Sequence, residues 1–164
     1  MVTMNKYREN FIITTSEQET LNLAKKIAKL LKPGDVISVS GELGTGKTCF
    51  VKGLAQGMGI SQVVTSPSFV ILKIYYNKIP LYHFDVYRLD KSFQLEEIGF
   101  QQFQYGDGIT VVEWGDKVSE ILAFDHLEIN FYYYENDKRK IKITPHGESW
   151  EKRLNKSKFV KVTD

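Results

Sequence analysis

The stretch Gly41-Glu42-Leu43-Gly44-Thr45-Gly46-Lys47-Thr48 constrains this chain more than any other, because it meets every term of the phosphate-binding pattern G-x-x-x-x-G-K-[ST]. A β-favouring run, Val36-Ile37-Ser38-Val39-Ser40, precedes it, and Cys49-Phe50-Val51-Lys52-Gly53-Leu54-Ala55 reads as a helix after it. Strand, loop and helix in that order form the setting in which glycines turn backbone N–H groups inward, as an anion nest at the positive end of a helix. Lys47 then reaches β- and γ-phosphate oxygens, and the Thr48 hydroxyl holds Mg2+. The expectation is a chain that binds a nucleoside triphosphate.

The rest of the chain reads as an α/β domain around that loop. Phe11-Ile12-Ile13-Thr14 reads as an edge strand, and Ser16 with Glu19 signals a capping box that opens a helix through about Leu31. On that helix Leu21, Ala24, Ile27, Ala28 and Leu31 share a face. Phe69 to Tyr76 and Leu81 to Tyr87 read as an antiparallel hairpin, Leu95 to Tyr105 as a helix broken by Gly106-Asp107-Gly108, and Lys117 to Ala123 as a short helix. Alternation through Leu127, Ile129, Phe131 and Tyr133, then Ile141 and Ile143, marks a second hairpin, and Ser149 starts a terminal helix. The expected fold is a P-loop NTPase-like mixed sheet, with a parallel centre, antiparallel hairpin additions and helices on both faces. Residues 1–164 form one domain, with about 155–164 as a frayed basic tail.

Composition narrows the class. A hydrophobic content of 42% and charged content of 26% suit one compact globular domain, and a net charge of +2 gives no strong electrostatic pull toward nucleic acid or an anionic membrane. No apolar run approaches membrane-spanning length and residues 1–10 lack a signal-peptide core, so a cytoplasmic location is expected. The single cysteine excludes an internal disulfide, and Cys49 reads as a small core residue rather than a reactive thiol.

A phosphate loop needs a carboxylate at the end of a neighbouring strand. Ile109-Thr110-Val111-Val112-Glu113, an apolar strand ending in an acid, has the Walker B pattern and is expected to run parallel to the strand that feeds the loop. A second acid, Asp85, shares one strand face with His83 and Tyr87. Thr65-Ser66-Pro67-Ser68-Phe69 places hydroxyls around a proline, a loop able to order against a γ-phosphate or to serve as a plain turn. His126 and His146 have no metal-ligand spacing and read as surface or capping residues. Lys138, Arg139, Lys140, Lys142, Lys152, Arg153, Lys156, Lys158 and Lys161 read as solvated faces and a loose tail rather than a nucleic-acid-binding patch.

Taken in order, the phosphate loop, Ser66-Pro67-Ser68-Phe69, His83-Phe84-Asp85-Val86-Tyr87-Arg88, Glu96-Glu97-Ile98-Gly99 and Val112-Glu113-Trp114 resemble the TsaE family (also called YjeE). These are small bacterial ATPases required for threonylcarbamoyladenosine formation in tRNA. The resemblance extends from about Glu17 to the second hairpin. It implies ATP and Mg2+ as cofactors and TsaB and TsaD as partners, with tRNA engaged indirectly through that complex and no membrane. ATP turnover would remodel or reset the complex, while carbamoyl transfer belongs to TsaD. It further implies that Gly41, Glu42, Leu43, Gly44, Thr45, Gly46, Lys47 and Thr48 surround the phosphates, that Thr48 and Glu113 hold the metal, and that Lys47, Asp85 and Glu113 are catalytic. Trp114 would lie near the nucleotide, with Glu17 and Asp137 beside the adenine. Ser68 stands where the family usually has Thr, which keeps the hydroxyl and loses the stiffer rotamer.

Which of Asp85 and Glu113 acts as base is not decided by the residues alone. A small-molecule P-loop kinase would want an arginine cluster around its acceptor, and none is visible. A GTP switch protein would want N-K-x-D, whereas the nearest string, Asn155-Lys156-Ser157-Lys158, ends in Lys. A nucleotide-gated binding module differs from an ATPase only in turnover.

Overall fold

Local signals start the elements where sequence places them. In the computed structural model, which describes residues 11–67 and 70–157, the Ser16 hydroxyl accepts the Glu19 N–H (3.2 Å) and opens helix α1 (Glu17–Ala28). The Glu19 carboxylate reaches back to the Thr15 N–H (2.6 Å), one residue earlier than the usual reciprocal arm of a capping box. Leu23 with Ala24, Ile27 and Ala28 forms the buried stripe of α1, and the expected Leu21 is only partly buried. The helix ends at Ala28, short of the expected Leu31.

Strands β1 (Phe11–Thr14), β2 (Val36–Gly41), β3 (Leu72–Tyr75), β4 (Leu81–Asp85), β5 (Ile109–Glu113), β6 (His126–Tyr134) and β7 (Lys138–His146) build one seven-stranded sheet, in the order β1-β7-β6-β2-β5-β4-β3. The centre is parallel: β2 pairs with β5 and with β6, and β4 pairs with β5. Antiparallel additions flank it, β3 on β4 at one edge, β7 on β6 and then β1 at the other. Every residue of β5 and all but the last of β2 is buried, as expected of central parallel strands covered on both faces.

Alternation along those strands divides the core. Ile37, Val39, Ile109 and Val111 face α1, helix α2 (Lys47–Gly57) and helix α5 (Glu148–Lys156) in one apolar cluster. Phe84 and Val112 face the opposite layer, where Leu95, Phe100 and Val118 cover them. Helices on both faces of a mixed sheet were the expectation, and this is the architecture found.

Close approach of α1 and α2 positions the loop that begins α2. A Cβ on Gly53 would lie 2.6 Å from Ala24 Cβ and 2.7 Å from the Leu21 carbonyl oxygen, so only glycine lets the helices meet there. Gly53→Val is therefore expected to destabilise the fold by about 1–3 kcal/mol through overpacking, read as a lower urea midpoint at unchanged slope.

Elsewhere the structure corrects the sequence reading. The single helix expected over 95–105 is two short ones, α3 (Phe93–Glu97) and α4 (Phe100–Gln104). Gly99 between them sits at φ +80°, a left-handed turn that no continuous helix accommodates. The segment after β5 is a 3-10 helix (Gly115–Ile121) kinked at Val118, beginning before Lys117. Strand β3 starts only at Leu72; Ser68 and Phe69, expected in the switch-like loop and the strand, lie outside the described residues. Helix α5 runs to Lys156, past the point where the tail was expected to begin, and residues 158–164 lie outside the described residues. Arg153 is no solvated tail residue: its guanidinium takes both oxygens of Asp35 (2.6 and 2.9 Å), donates to the Leu30 carbonyl (2.8 Å) and stacks on Trp150. Among the described residues no helix is long and apolar enough to cross a membrane.

Candidate nucleotide site

The end of β2 carries the chain into the loop. Gly41 sits at φ +144°, and a Cβ there would lie 2.6 Å from the Phe131 carbonyl oxygen on β6, so glycine is required where the loop leaves the sheet. Gly46, at φ +108°, precedes α2, and no side chain caps that helix start. Its first N–H groups are thus left for a ligand, and the helix dipole favours an anion there. Thr45 closes the loop internally, its hydroxyl donating to the Glu42 carbonyl (2.7 Å), while Glu42, Leu43 and Gly44 are exposed.

Lys47 is 5% exposed, and its Nζ donates to the carbonyls of Gly41 (2.6 Å) and Glu42 (2.8 Å). The same ammonium lies 4.0 Å from the centroid of the Trp114 ring. Burial pushes the Lys47 pKa below its usual value, and the carboxylates of Glu113, Asp85 and Asp116 act against that shift. Trp114 follows β5 at φ +62°, an unusual backbone state for a bulky residue that turns the chain sharply at this point. Its indole also meets the Tyr87 ring, with centroids 4.8 Å apart.

Both acids stand where β4 and β5 end. Asp85 and Glu113 are register partners on adjacent parallel strands, at the carboxyl ends where α/β sheets bind ligands. The Thr48 hydroxyl lies 3.0 and 3.2 Å from the two Glu113 oxygens, so the first turn of α2 touches the end of β5. His83, fully buried, places Nε2 2.8 Å from Glu113 Oε1, while its Nδ1 has no hydrogen-bond partner among the described residues. Asp85 accepts the Ser66 hydroxyl (2.9 Å) on one oxygen and the Tyr87 N–H (3.0 Å) on the other, which fastens the Ser66-Pro67 loop to the site.

Lys47, Thr48, Asp85, Glu113 and Trp114 therefore converge. Glu17 lies at the start of α1, beside the start of α2, where the Cys49 thiol approaches its carbonyl (3.7 Å). Burial first, then the Glu17 charge, raises the Cys49 pKa, which suits an unreactive thiol. Asp137 sits in the β6–β7 turn, and that hairpin reaches the loop through Tyr133 and Arg139.

Sequence reasoning missed those two contacts. The Tyr133 hydroxyl donates to the Leu43 carbonyl, and Arg139 donates to the carbonyls of Thr45 (3.1 Å) and Gly44 (3.4 Å) while its guanidinium lies over the Tyr133 ring. Arg139, expected on a solvated basic face, instead braces the phosphate loop. Arg139→Met removes charge-assisted hydrogen bonds worth roughly 1.5–3 kcal/mol. The looser loop is expected to raise the Kd for ATP about tenfold, equivalent to ~1.4 kcal/mol, measured by isothermal titration.

Hard oxygen donors from Thr48 and Glu113, with Asp85 on the next strand, suit Mg2+ rather than a softer metal.

Comparison with known proteins shows the family and the fold. Residues 14–141 match the family described as Threonylcarbamoyl adenosine biosynthesis protein TsaE. The chain is 40% identical over 139 residues to the tRNA threonylcarbamoyladenosine biosynthesis protein TsaE of Bacillus subtilis strain 168, covering 84% of this chain and 87% of that one. It is 39% identical over 131 residues to the protein of that name from Treponema pallidum, covering 80% of this chain and 97% of the relative. The crystal structure of Bacillus subtilis YdiB superposes with a TM-score of 0.82 at 34% identity, covering 94% of this chain and 97% of that one. The phosphate loop, the paired strand ends and the mixed sheet are thus those of a chain that belongs to the TsaE family.

Proposed function

We propose that this chain is a Mg2+-dependent ATPase serving threonylcarbamoyladenosine modification of tRNA, which acts with the TsaB–TsaD pair and resets it through ATP binding and hydrolysis. Family membership supports the pathway. The observation that carries the nucleotide chemistry is the contact of Thr48 with both Glu113 oxygens, 3.0 and 3.2 Å, which joins the loop's helix to the acid-bearing strand.

In this reading the N–H groups from Gly44 to Thr48 receive the triphosphate, and Lys47 exchanges the Gly41 and Glu42 carbonyls for β- and γ-phosphate oxygens. Thr48 and Glu113 would hold Mg2+, which would supply charge neutralisation for the triphosphate. His83 keeps the Glu113 carboxylate turned toward Thr48. Asp85, tied to Ser66, orients the attacking water and couples it to the Ser66-Pro67 loop. Trp114 walls the site above Lys47, and Glu17 with the Asp137 turn flanks the base.

Arg139 and Arg153 are both committed, to loop carbonyls and to Asp35. With these cations spent on the scaffold, turnover in isolation is expected to be slow and to rise when partners complete the site. Phosphate release measured alone and with TsaB–TsaD tests this. Equal rates contradict the partner role, and no release under either condition contradicts the ATPase.

A further inference from the structure

A second constellation lies at the other end of the sheet. His126 begins β6 and His146 ends β7, and the two are direct cross-strand partners whose rings stack with centroids 4.3 Å apart. Glu128 follows on the same face of β6, its Oε2 2.7 Å from His146 Nε2. One ligand atom from each of the three lies within 4.8 Å of the others. Since Phe131, further along β6, is the residue paired with Gly41, the cluster is remote from the phosphate loop.

We propose that His126, Glu128 and His146 form a cation site for a divalent metal of the Zn2+ class, which staples β6 to β7 at the end of the sheet away from the loop.

The outer contacts are those of a metal site. His126 Nδ1 donates to the Ala123 carbonyl (2.8 Å), which leaves the Nε2 lone pair for a ligand. Asn130 Nδ2 donates to Glu128 Oε1 (2.7 Å), which pins the carboxylate and leaves Oε2 available. In the metal-free arrangement the proton on His146 Nε2 is donated to Glu128 Oε2 (2.7 Å). A cation takes its place, and His146 then carries that proton on Nδ1. Two stacked rings do not aim both lone pairs at one point, so binding turns one imidazole about its Cβ–Cγ bond; both residues are only half-buried, which leaves room. Two imidazole nitrogens and one carboxylate oxygen, with a remaining position for water, select Zn2+ over the Mg2+ expected at Thr48.

The test is a Zn2+ titration of the nucleotide-free protein in excess Mg2+, followed by the imidazole 15N resonances. The chain has three histidines, so His83 serves as an internal reference. The expected result is a saturable shift of His126 and His146 at one equivalent, with His83 unmoved and Cys49→Ser without effect. Asn130→Ala should weaken the site about tenfold or more, and the His126→Gln/His146→Gln pair should abolish it. Absence of a saturable shift in the wild type, which requires no variant to fold, overturns the proposal. Unchanged Zn2+ affinity in the double variant, or a shift confined to His83, does so as well.

Discussion

Lys47→Ala is expected to weaken ATP binding by about 1.5–3 kcal/mol, roughly a ten- to hundredfold rise in Kd by isothermal titration, and to lower turnover further still. The size follows from where the ammonium sits. It is nearly buried beneath Trp114, and it already donates to two carbonyls along the loop's inner edge, those of Gly41 and Glu42. Loss of the side chain also leaves the Gly41 and Glu42 carbonyls without this donor, so thermal unfolding must be run beside the titration to separate loop collapse from lost contact. Lys47→Arg is not expected to rescue, because a planar guanidinium does not fit a slot shaped by Trp114 for a slender ammonium. Near-normal hydrolysis by the alanine variant removes Lys47 from the site.

Glu113→Gln is expected to leave ATP affinity within about 1 kcal/mol while reducing turnover on the order of a hundredfold. Glutamine keeps the volume and an oxygen that accepts from Thr48 and from buried His83, so packing and hydrogen bonding survive and only the charge goes. Alanine is a poorer probe, since it strands His83 Nε2 in the core, at about 1–3 kcal/mol for an unpaired buried group. If the Gln variant turns over ATP at the wild-type rate, the carboxylate is structural and the assignment of Glu113 to the metal falls.

Much of this site was legible because its parts are local patterns. The loop announces itself by glycine spacing, β5 by an apolar run ending in an acid, and β4 by aromatics that alternate with His83 and Asp85. What escaped were contacts that depend on register between distant strands. Arg139 and Tyr133 reach the loop because Phe131 pairs with Gly41, which carries the far end of the β6–β7 hairpin beside Gly44 and Thr45. Nothing in the basic run Lys138-Arg139-Lys140 distinguishes the one residue that braces the loop. His126 and His146 escaped for the same reason: they are far apart in sequence and meet only across the sheet. The break at Gly99 shows the opposite failure. Gly99 lies within the 95–105 segment expected to be one helix, and its left-handed backbone ends the first of two short helices there. On α1 the side chain of Leu23 is buried where Leu21 was expected, because the Leu21 backbone itself lies at the crossing with Gly53 of α2.

The segment from Gly41 to Thr48 is expected to curl round a triphosphate whose metal would be held by Thr48 and Glu113. A crystal structure with Mg2+ and a non-hydrolysable ATP analogue tests it most directly. Such a structure is expected to show β-phosphate oxygens within hydrogen-bond distance of the Gly44–Thr48 amides and Lys47 Nζ, with Mg2+ on the Thr48 hydroxyl and Glu113 beside it, directly or through one water. Density for the analogue away from this loop, or for a metal remote from both Thr48 and Glu113, contradicts it.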